Sequence, residues 1–189
     1  MSEVVVNPYR FVAGEVTIIE QPANGTLIVS LSDGHPYAGY RVASGSNVIG
    51  YTLNSLTWRI FRKGSPPAGL IQARVFTGGA SGSPGDYTQI GASIDQTTVA
   101  TDTAGTDYTF DGSGEVTLKE GDYITVASTN GGTSSSHMVK VRGAVDCDNF
   151  TTGTNLEYSQ YNTNGTNAWN NVDNLCASYG EPVCTAIGF

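Results

Sequence analysis

The feature that most constrains the fold is a series of short alternating segments, separated by turn sequences, from residue 48 to residue 180. Apolar and polar side chains alternate in residues 51–61 (YTLNSLTWRIF), and residues 70–77 (LIQARVFT) resume the pattern after a loop that is rich in Gly and Pro. A period of two residues places successive side chains on opposite faces of a β-strand. The spacing of the segments and turns therefore predicts an all-β fold, an antiparallel β-sandwich.

The same alternation predicts which side chains form the core. Three inward rows are predicted: Leu56, Trp58 and Ile60; Ile71, Ala73 and Val75; Val139 and Val141. Residues 97–100, 106–110 and 115–118 are predicted as separate short strands. About eight strands in two antiparallel sheets form a sandwich of jelly-roll type.

The first part of the chain differs from the rest. A short apolar strand at residues 4–6 is followed by strands at 11–20 and 26–31. We predict an N-terminal β arm or hairpin over residues 1–45, a jelly-roll sandwich over 46–180 and a C-terminal tail over 181–189. The N-terminal part is either a hairpin of the sandwich or an arm that docks on a neighbouring subunit, because an exposed strand edge can pair with another chain. The residues predicted to make the assembly contact are Val4, Val5, Val6, Tyr9 and Phe11.

Charge and composition exclude several partners. The net charge is -8 and the basic residues are scattered apart from the local group Arg59, Arg62 and Lys63. Phosphate binding needs clustered Lys and Arg, so we predict no nucleic-acid partner. The same charge disfavours an anionic membrane surface, and we predict no membrane association. The N-terminus has no signal-peptide pattern, which predicts a protein that is made in the cytoplasm and kept soluble unless it leaves the cell by lysis. Charged residues are 14% of the chain, a low value that suits either secreted β-proteins or subunits packed against neighbours.

The chain has three cysteines, Cys147, Cys176 and Cys184. An odd number cannot form a closed disulfide framework. Either Cys176 and Cys184 form a disulfide near the C-terminus, or all three are thiols of a chain that assembles in a reducing compartment.

Enzymatic chemistry has no motif in this sequence, and we predict that the protein is not an enzyme. The two histidines, His35 and His137, are not accompanied by a nucleophile motif. A glycosidase needs a pair of carboxylates, and the candidates in this sequence are Glu115, Glu120, Asp122 and Glu157. Acidic residues in turns usually accept hydrogen bonds from backbone amides, which is the simpler interpretation.

One segment has the composition of a calcium site. Asp146, Asp148 and Asn149 place two carboxylates and an amide within four residues, and Ca²⁺ prefers such oxygen ligands. The alternative is a polar turn. We predict no cofactor other than this structural calcium.

Residues 158–171 combine aromatic and amide side chains, which is the chemistry of glycan recognition. The residues predicted to bind a glycan are Tyr158, Tyr161, Asn162, Trp169 and Asn170. The alternative for Trp169 is a place in the core or at a subunit interface, where large aromatic side chains are common.

The order of several motifs resembles a known class of proteins. The chain has LTWRI, a GSPPAG loop followed by LIQARV, then LKEGDYI, and later an aromatic stretch with Trp169. This order is similar to lectin-like and carbohydrate-binding-module-like jelly rolls of bacterial surface and virion proteins, and the opening VVVNPYRF resembles the starts of phage tail and capsid-associated proteins. The resemblance implies a virion structural protein of a tailed bacteriophage or similar virus, either a capsid decoration, tail or fibre component. Its partners would be other virion proteins or copies of itself. The alternative is a carbohydrate-binding or adhesion module for cell-surface glycans.

Overall fold

The computed structural model describes residues 14–20, 27–77, 86–134, 136–144, 153–163, 168–171, 181–182 and 184–189. These residues form thirteen β-strands and one turn of 3-10 helix, Gln96–Thr98. The strands are β1 (Val16–Glu20), β2 (Leu27–Leu31), β3 (Tyr37–Val42), β4 (Thr52–Lys63), β5 (Leu70–Phe76), β6 (Tyr87–Asp95), β7 (Thr106–Thr117), β8 (Tyr123–Ser128), β9 (Met138–Ala144), β10 (Leu156–Asn162), β11 (Ala168–Asn171), β12 (Glu181–Pro182) and β13 (Cys184–Gly188). All the strand pairs are antiparallel, which confirms the predicted all-β sandwich. The jelly-roll type stays a prediction.

Sheet 1 is organised by the long strand β4. One edge of β4 pairs with β7 along most of its length. The opposite edge is shared, because residues 53–58 pair with β13 and residues 60–63 pair with β9. Strand β1 continues the sheet beyond β13, and β2 continues it beyond β9. Sheet 1 therefore divides into two branches on one side of β4.

Sheet 2 has the order β11-β10-β3-β8-β5-β6. It curls towards sheet 1 at β6, where Gly91 has φ 66°. A Cβ atom on Gly91 would lie 2.4 Å from the amide nitrogen of Asp111 in β7, so only glycine allows this approach of the two backbones. Strands β6 and β7 thus bring the edges of the two sheets together on this side of the sandwich.

The core between the sheets contains all three predicted inward rows, and each of their eight side chains is buried. Trp58 of β4 stacks on Tyr40 of β3, with ring centroids 6.4 Å apart and an interplanar angle of 11°. This contact joins the two sheets, so the prediction that Trp58 is a core residue is confirmed. The alternation was a reliable guide because successive side chains of a strand lie on opposite faces, so the residues of each row, which are two positions apart, point into the core.

Strand pairing places segments from near both ends of the chain within the two sheets. Strand β3, which was not predicted, lies between β10 and β8 in sheet 2, and β2 pairs with β9 in sheet 1. Strand β13 lies between β1 and β4, where a C-terminal tail was predicted. Residues near both ends of the chain therefore belong to the sandwich. The predicted contact residues Val4, Val5, Val6, Tyr9 and Phe11 lie outside the described residues.

Two local predictions were wrong. Residues 96–98 form a 3-10 turn instead of a strand, because the carboxylate of Asp95 accepts a hydrogen bond from the backbone nitrogen of Thr97 at 2.8 Å and caps the turn. The two strands predicted within 106–118 are one strand, β7. Leu53 pairs with Val116 and Ser55 pairs with Asp111, so the four residues 112–115 of β7 lie opposite the single residue Asn54 of β4. The strand continues through this irregularity in the pairing.

Candidate functional site: the outer aromatic face of sheet 2

The face of sheet 2 that points away from the core carries aromatic side chains, although the solvent face of a sandwich sheet is usually polar. In β5, Ile71, Ala73 and Val75 point into the core, so Arg74 and Phe76 lie on the opposite face. The same alternation applies in the neighbouring strands. We call the resulting surface the outer aromatic face; its aromatic residues are Tyr37 (β3), Phe76 (β5), Tyr87 (β6), Tyr123 (β8), Tyr161 (β10) and Trp169 (β11).

Trp169 is at the centre of this face. Its ring stacks on Tyr123 with centroids 4.2 Å apart and an interplanar angle of 10°. Phe76 and Tyr161 each meet it nearly edge-on at 5.4 Å. The backbone of Trp169 pairs with Tyr161 in β10, whereas Tyr123 belongs to β8 on the far side of β3. The indole must therefore reach across the sheet, and this contact holds β11 over the outer aromatic face.

The aromatic residues divide into a buried base and an accessible rim. Phe76, Tyr123 and Tyr161 are buried and form the base. Tyr37 and Trp169 are half-buried, and Tyr87 is 47% exposed; these three form the rim. Rings that are half covered by neighbours have fixed orientations while part of their surface stays open to a ligand.

Arg74 provides a fixed cation within the rim. Its guanidinium carbon lies 4.1 Å from the ring centre of Tyr87 and 5.4 Å from that of Tyr37. Both distances are within the range of cation–π attraction. Its Nε donates a hydrogen bond to Oε1 of Gln72 at 2.9 Å, and its Nη2 donates to the same oxygen.

Arg41 and Glu157 form an ion pair on the same face. Nη1 of Arg41 donates to a carboxylate oxygen of Glu157 at 2.9 Å across β3 and β10. This hydrogen bond raises the pKa of Arg41, with a smaller opposing effect of burial. Burial raises the pKa of Tyr123, which Arg41 only partly offsets, and burial followed by the charge of Tyr37 raises the pKa of Tyr161. The two phenols therefore stay protonated at neutral pH and can donate hydrogen bonds.

The structure brings together part of the predicted glycan-binding set. Tyr161 and Trp169 share the outer aromatic face and are in contact. Tyr158 is 0% exposed in the core, so it is not available to a ligand, and its inclusion in the set was wrong. The reason is the strand period, since residues 158 and 161 are an odd number of positions apart and point to opposite faces.

The two predicted amides are less informative. Asn162 is half-buried at the end of β10 and pairs with Ala168. The backbone of Asn170 pairs with Gln160, and its side chain lies outside the described part of the structure. The predicted calcium ligands Asp146, Asp148 and Asn149 also lie outside the described residues. Within the described ranges, no group of three His, Cys, Asp or Glu side chains is arranged to hold a metal ion.

Five residues of the outer aromatic face were not predicted as site residues from the sequence: Tyr37, Phe76, Tyr87, Tyr123 and Arg74. A signal for two of them was present, because the inward row of β5 leaves Arg74 and Phe76 on the outer side. The others could not be assigned without knowing that β3, β6 and β8 are neighbours of β5 and β10 in one sheet.

A second concave surface lies at one end of the sandwich, where an open cleft of about 640 Å³ is lined mainly by Thr77, Thr88, Thr117, Lys119, Glu120 and Asp122. The carboxylate of Asp122 accepts a hydrogen bond from the backbone nitrogen of Lys119 at 2.8 Å and is buried. This contact holds the turn before β8, as expected for an acidic turn residue. The aromatic face therefore offers the more distinctive chemistry.

Comparison with protein-family models, curated proteins and solved structures gives no match to this chain. In the described part of the chain, no helix has the length and apolar character needed to cross a membrane. The functional argument therefore depends on the residues of the outer aromatic face.

Proposed function

We propose that this protein is a non-enzymatic binding protein that recognises carbohydrate through the outer aromatic face of sheet 2. The observation that supports the proposal is the rim of Tyr37, Tyr87 and Trp169 above a base of buried aromatic rings. Apolar surface that stays accessible on a folded domain commonly marks a binding site. Such sites combine aromatic walls with a few polar groups that orient the ligand.

Carbohydrate fits this surface because a sugar ring has apolar C–H groups on its faces and hydroxyl groups around its edge. The C–H groups carry partial positive charge and pack on the negative face of an aromatic ring. The polar groups next to the rim, Arg74 and the pair Arg41–Glu157, can exchange hydrogen bonds with hydroxyl groups. The stack of Trp169 on Tyr123 fixes the ring before a ligand arrives, which lowers the entropic cost of binding.

The test is binding to an array of glycans, followed by titration calorimetry with a glycan that binds. Tyr87→Ala should weaken binding at least about tenfold, because it removes the most exposed ring of the rim. The thermal midpoint should change little, since that ring is nearly half exposed. Tyr51→Ala is the matched control: Tyr51 is 38% exposed and precedes β4 in sheet 1, so this variant should bind like the wild type. Absence of binding to any glycan, or equal binding by Tyr87→Ala, would contradict the proposal.

Trp169→Ala is a less informative variant. It would remove the ring that ties β11 to Tyr123, and so it should weaken both binding and stability. Loss of binding in that variant alone would not separate the two effects.

A second candidate function is assembly into a virus particle, as a capsid decoration, tail or fibre component located in the virion. Strand β1 favours it, because β1 pairs with β13 on one edge and has no partner strand on its other edge among the described residues. Val16 of β1 is 45% exposed, and the predicted contact residues 4–11 precede this strand. An unpaired strand edge of this kind can pair with a strand of another subunit.

The assembly proposal is tested by comparing the full chain with a chain lacking residues 1–12. Light scattering and electron microscopy of native particles, with gold-labelled antibody against the protein, measure assembly and location. The full chain should assemble or decorate particles, and the truncated chain should not. Normal assembly of the truncated chain, or gold only on cell envelopes, would argue against it.

A further inference from the structure

Arg74 is a buried cation without a counter-ion in the described structure. The residue is 7% exposed, although it lies on the outer aromatic face and not in the core. The ion pairs among the described residues are Arg41–Glu157 and Arg59–Asp107, so no carboxylate in that part of the chain neutralises Arg74. Buried charges in proteins are normally paired, because removing a charge from water is costly.

The hydrogen bonds of Arg74 leave one side of the guanidinium unused. Nε and Nη2 donate to Gln72, whereas Nη1 has no hydrogen-bond partner among the described residues. Nη1 is not fully enclosed by the described residues, so part of its surface is open to solvent. Nη1 and the second N–H of Nη2 therefore remain unpaired in the described structure, and together they form the parallel pair of donors on that side of the guanidinium.

The position of the guanidinium is fixed from several directions. The amide nitrogen of Gln72 donates to Oε1 of Gln89 at 2.7 Å and to Oγ of Ser93 at 2.9 Å. Nε2 of Gln89 donates in turn to the carbonyl oxygen of Gly91 at 2.8 Å. These bonds orient the Gln72 amide so that its oxygen faces Arg74. The plane of the guanidinium is thus held next to the rings of the rim without any ligand.

This arrangement is suited to an anionic group with two oxygens. A planar guanidinium binds carboxylate or sulfate oxygens with parallel N–H···O hydrogen bonds. Arg41 is paired with Glu157, so Arg74 is the cation of this face that has no ion-pair partner among the described residues. A neutral sugar would leave this buried charge uncompensated, and an acidic sugar would compensate it.

We infer that the carbohydrate bound by the outer aromatic face is acidic, and that Arg74 binds its carboxylate or sulfate group. The rings of Tyr37 and Tyr87, which flank the guanidinium, would pack on the same sugar or its neighbour. This inference rests on the proposed carbohydrate-binding function and names the ligand class.

The test compares matched acidic and neutral oligosaccharides by titration calorimetry. The probes are oligogalacturonate and its carboxyl-reduced form, sialyllactose and lactose, and a sulfated oligosaccharide with its desulfated form. The wild-type protein should bind at least one acidic form at least about tenfold more tightly than its neutral partner. The uronate and sialate pairs report on a carboxylate, and the sulfated pair on a sulfate. Higher salt should weaken the acidic complex and leave the neutral one unchanged.

Variants assign the preference to Arg74. Arg74→Gln should remove the preference, so that the acidic and the neutral forms bind this variant with the same affinity, and Arg74→Lys should keep only part of the preference, because Lys lacks the planar fork. Arg59→Gln is the matched control; it changes the net charge equally at β4 of sheet 1, where Arg59 pairs with Asp107. This control should keep the preference. If Arg74→Gln fails to fold, the inference is still tested by the wild type, whose affinity for the acidic form should fall with salt while its affinity for the neutral form should not.

The outcomes separate the two proposals. Equal binding of acidic and neutral forms by the wild type would overturn the inference and leave carbohydrate binding in place. An acid preference that survives in folded Arg74→Gln would also overturn it. Absence of binding to every probe and to the glycan array would contradict the proposed function itself.

Discussion

Gly39 lies in β3, at the centre of sheet 2, where the backbone of β8 leaves no room for a side chain. A Cβ atom at this position would lie 2.0 Å from the carbonyl oxygen of Ile124 and 2.8 Å from the Cα of Thr125. Both atoms belong to the backbone of β8, which pairs with β3 from Tyr37 to Arg41. Gly39→Ala therefore tests the placement of a strand that the sequence did not predict.

The size of the effect follows from this geometry. An ordinary carbon–oxygen contact needs about 3.4 Å, so β3 and β8 must separate by more than about 1 Å at this point. Overpacking against movable side chains costs about 1–3 kcal/mol. Because the obstacle here is hydrogen-bonded backbone between two further strands, we expect Gly39→Ala to lower the free energy of unfolding by about 3 kcal/mol or more. In a chain of this size that corresponds to a fall in the thermal midpoint of about 6–12 °C.

Urea unfolding, followed by tryptophan fluorescence, measures the change. The dependence of the unfolding free energy on urea should be unchanged, since the exposed surface is the same. Gly14→Ala is the matched control, because a Cβ on Gly14 has no atom within 4 Å. It should change the free energy of unfolding by less than about 0.5 kcal/mol. If Gly39→Ala were as stable as this control, the described contact between β3 and β8 would be refuted.

Three further predictions concern buried polar and ionisable groups. Burial raises the pKa of the Cys184 thiol, so alkylation of Cys184, measured by mass spectrometry, should be at least about tenfold slower in the native protein than in denaturant; equal rates would contradict its burial. Burial, with a smaller effect of Lys63, lowers the pKa of the buried Lys140, so Lys140→Met should leave the urea-unfolding free energy unchanged or raise it by about 1 kcal/mol; a clear loss would contradict this. The pKa values of Tyr123 and Tyr161 are raised, so the unfolded state loses their protons first. Stability should therefore be complete below about pH 10 and fall as the pH rises above it, and Tyr123→Phe with Tyr161→Phe should flatten that fall in thermal-melt midpoints.

Strands with a regular alternation could be predicted from the sequence alone. Residues 70–77 were predicted almost as β5 occurs, and Ile71, Ala73 and Val75 face the core as expected. The information is local, because an apolar row that faces a core recurs at every second residue whatever the partner strands are. Strand β3 lacked this signal, because Gly39 contributes no side chain to the pattern.

The candidate site was predictable only in part. The segment with Tyr161 and Trp169 has an unusual local composition, and these two residues do meet on one face. Tyr158 was wrongly included because composition ignores strand period. Arg74 and Tyr87 come from segments far along the chain from Trp169, and no local pattern connects them.

The sequence by itself determined the all-β class, the inward rows and the low charge of the surface, since each depends on residue types and on a period of two residues. The tertiary structure decided which strands are neighbours, that β3 and β13 lie inside the sheets, and that Trp169 stacks on Tyr123. Backbone hydrogen bonds between strands are the same for almost any sequence, so the choice of partners depends on how all the buried faces pack together. That choice brought Arg74 between Tyr37 and Tyr87, and so it created the binding surface that we propose.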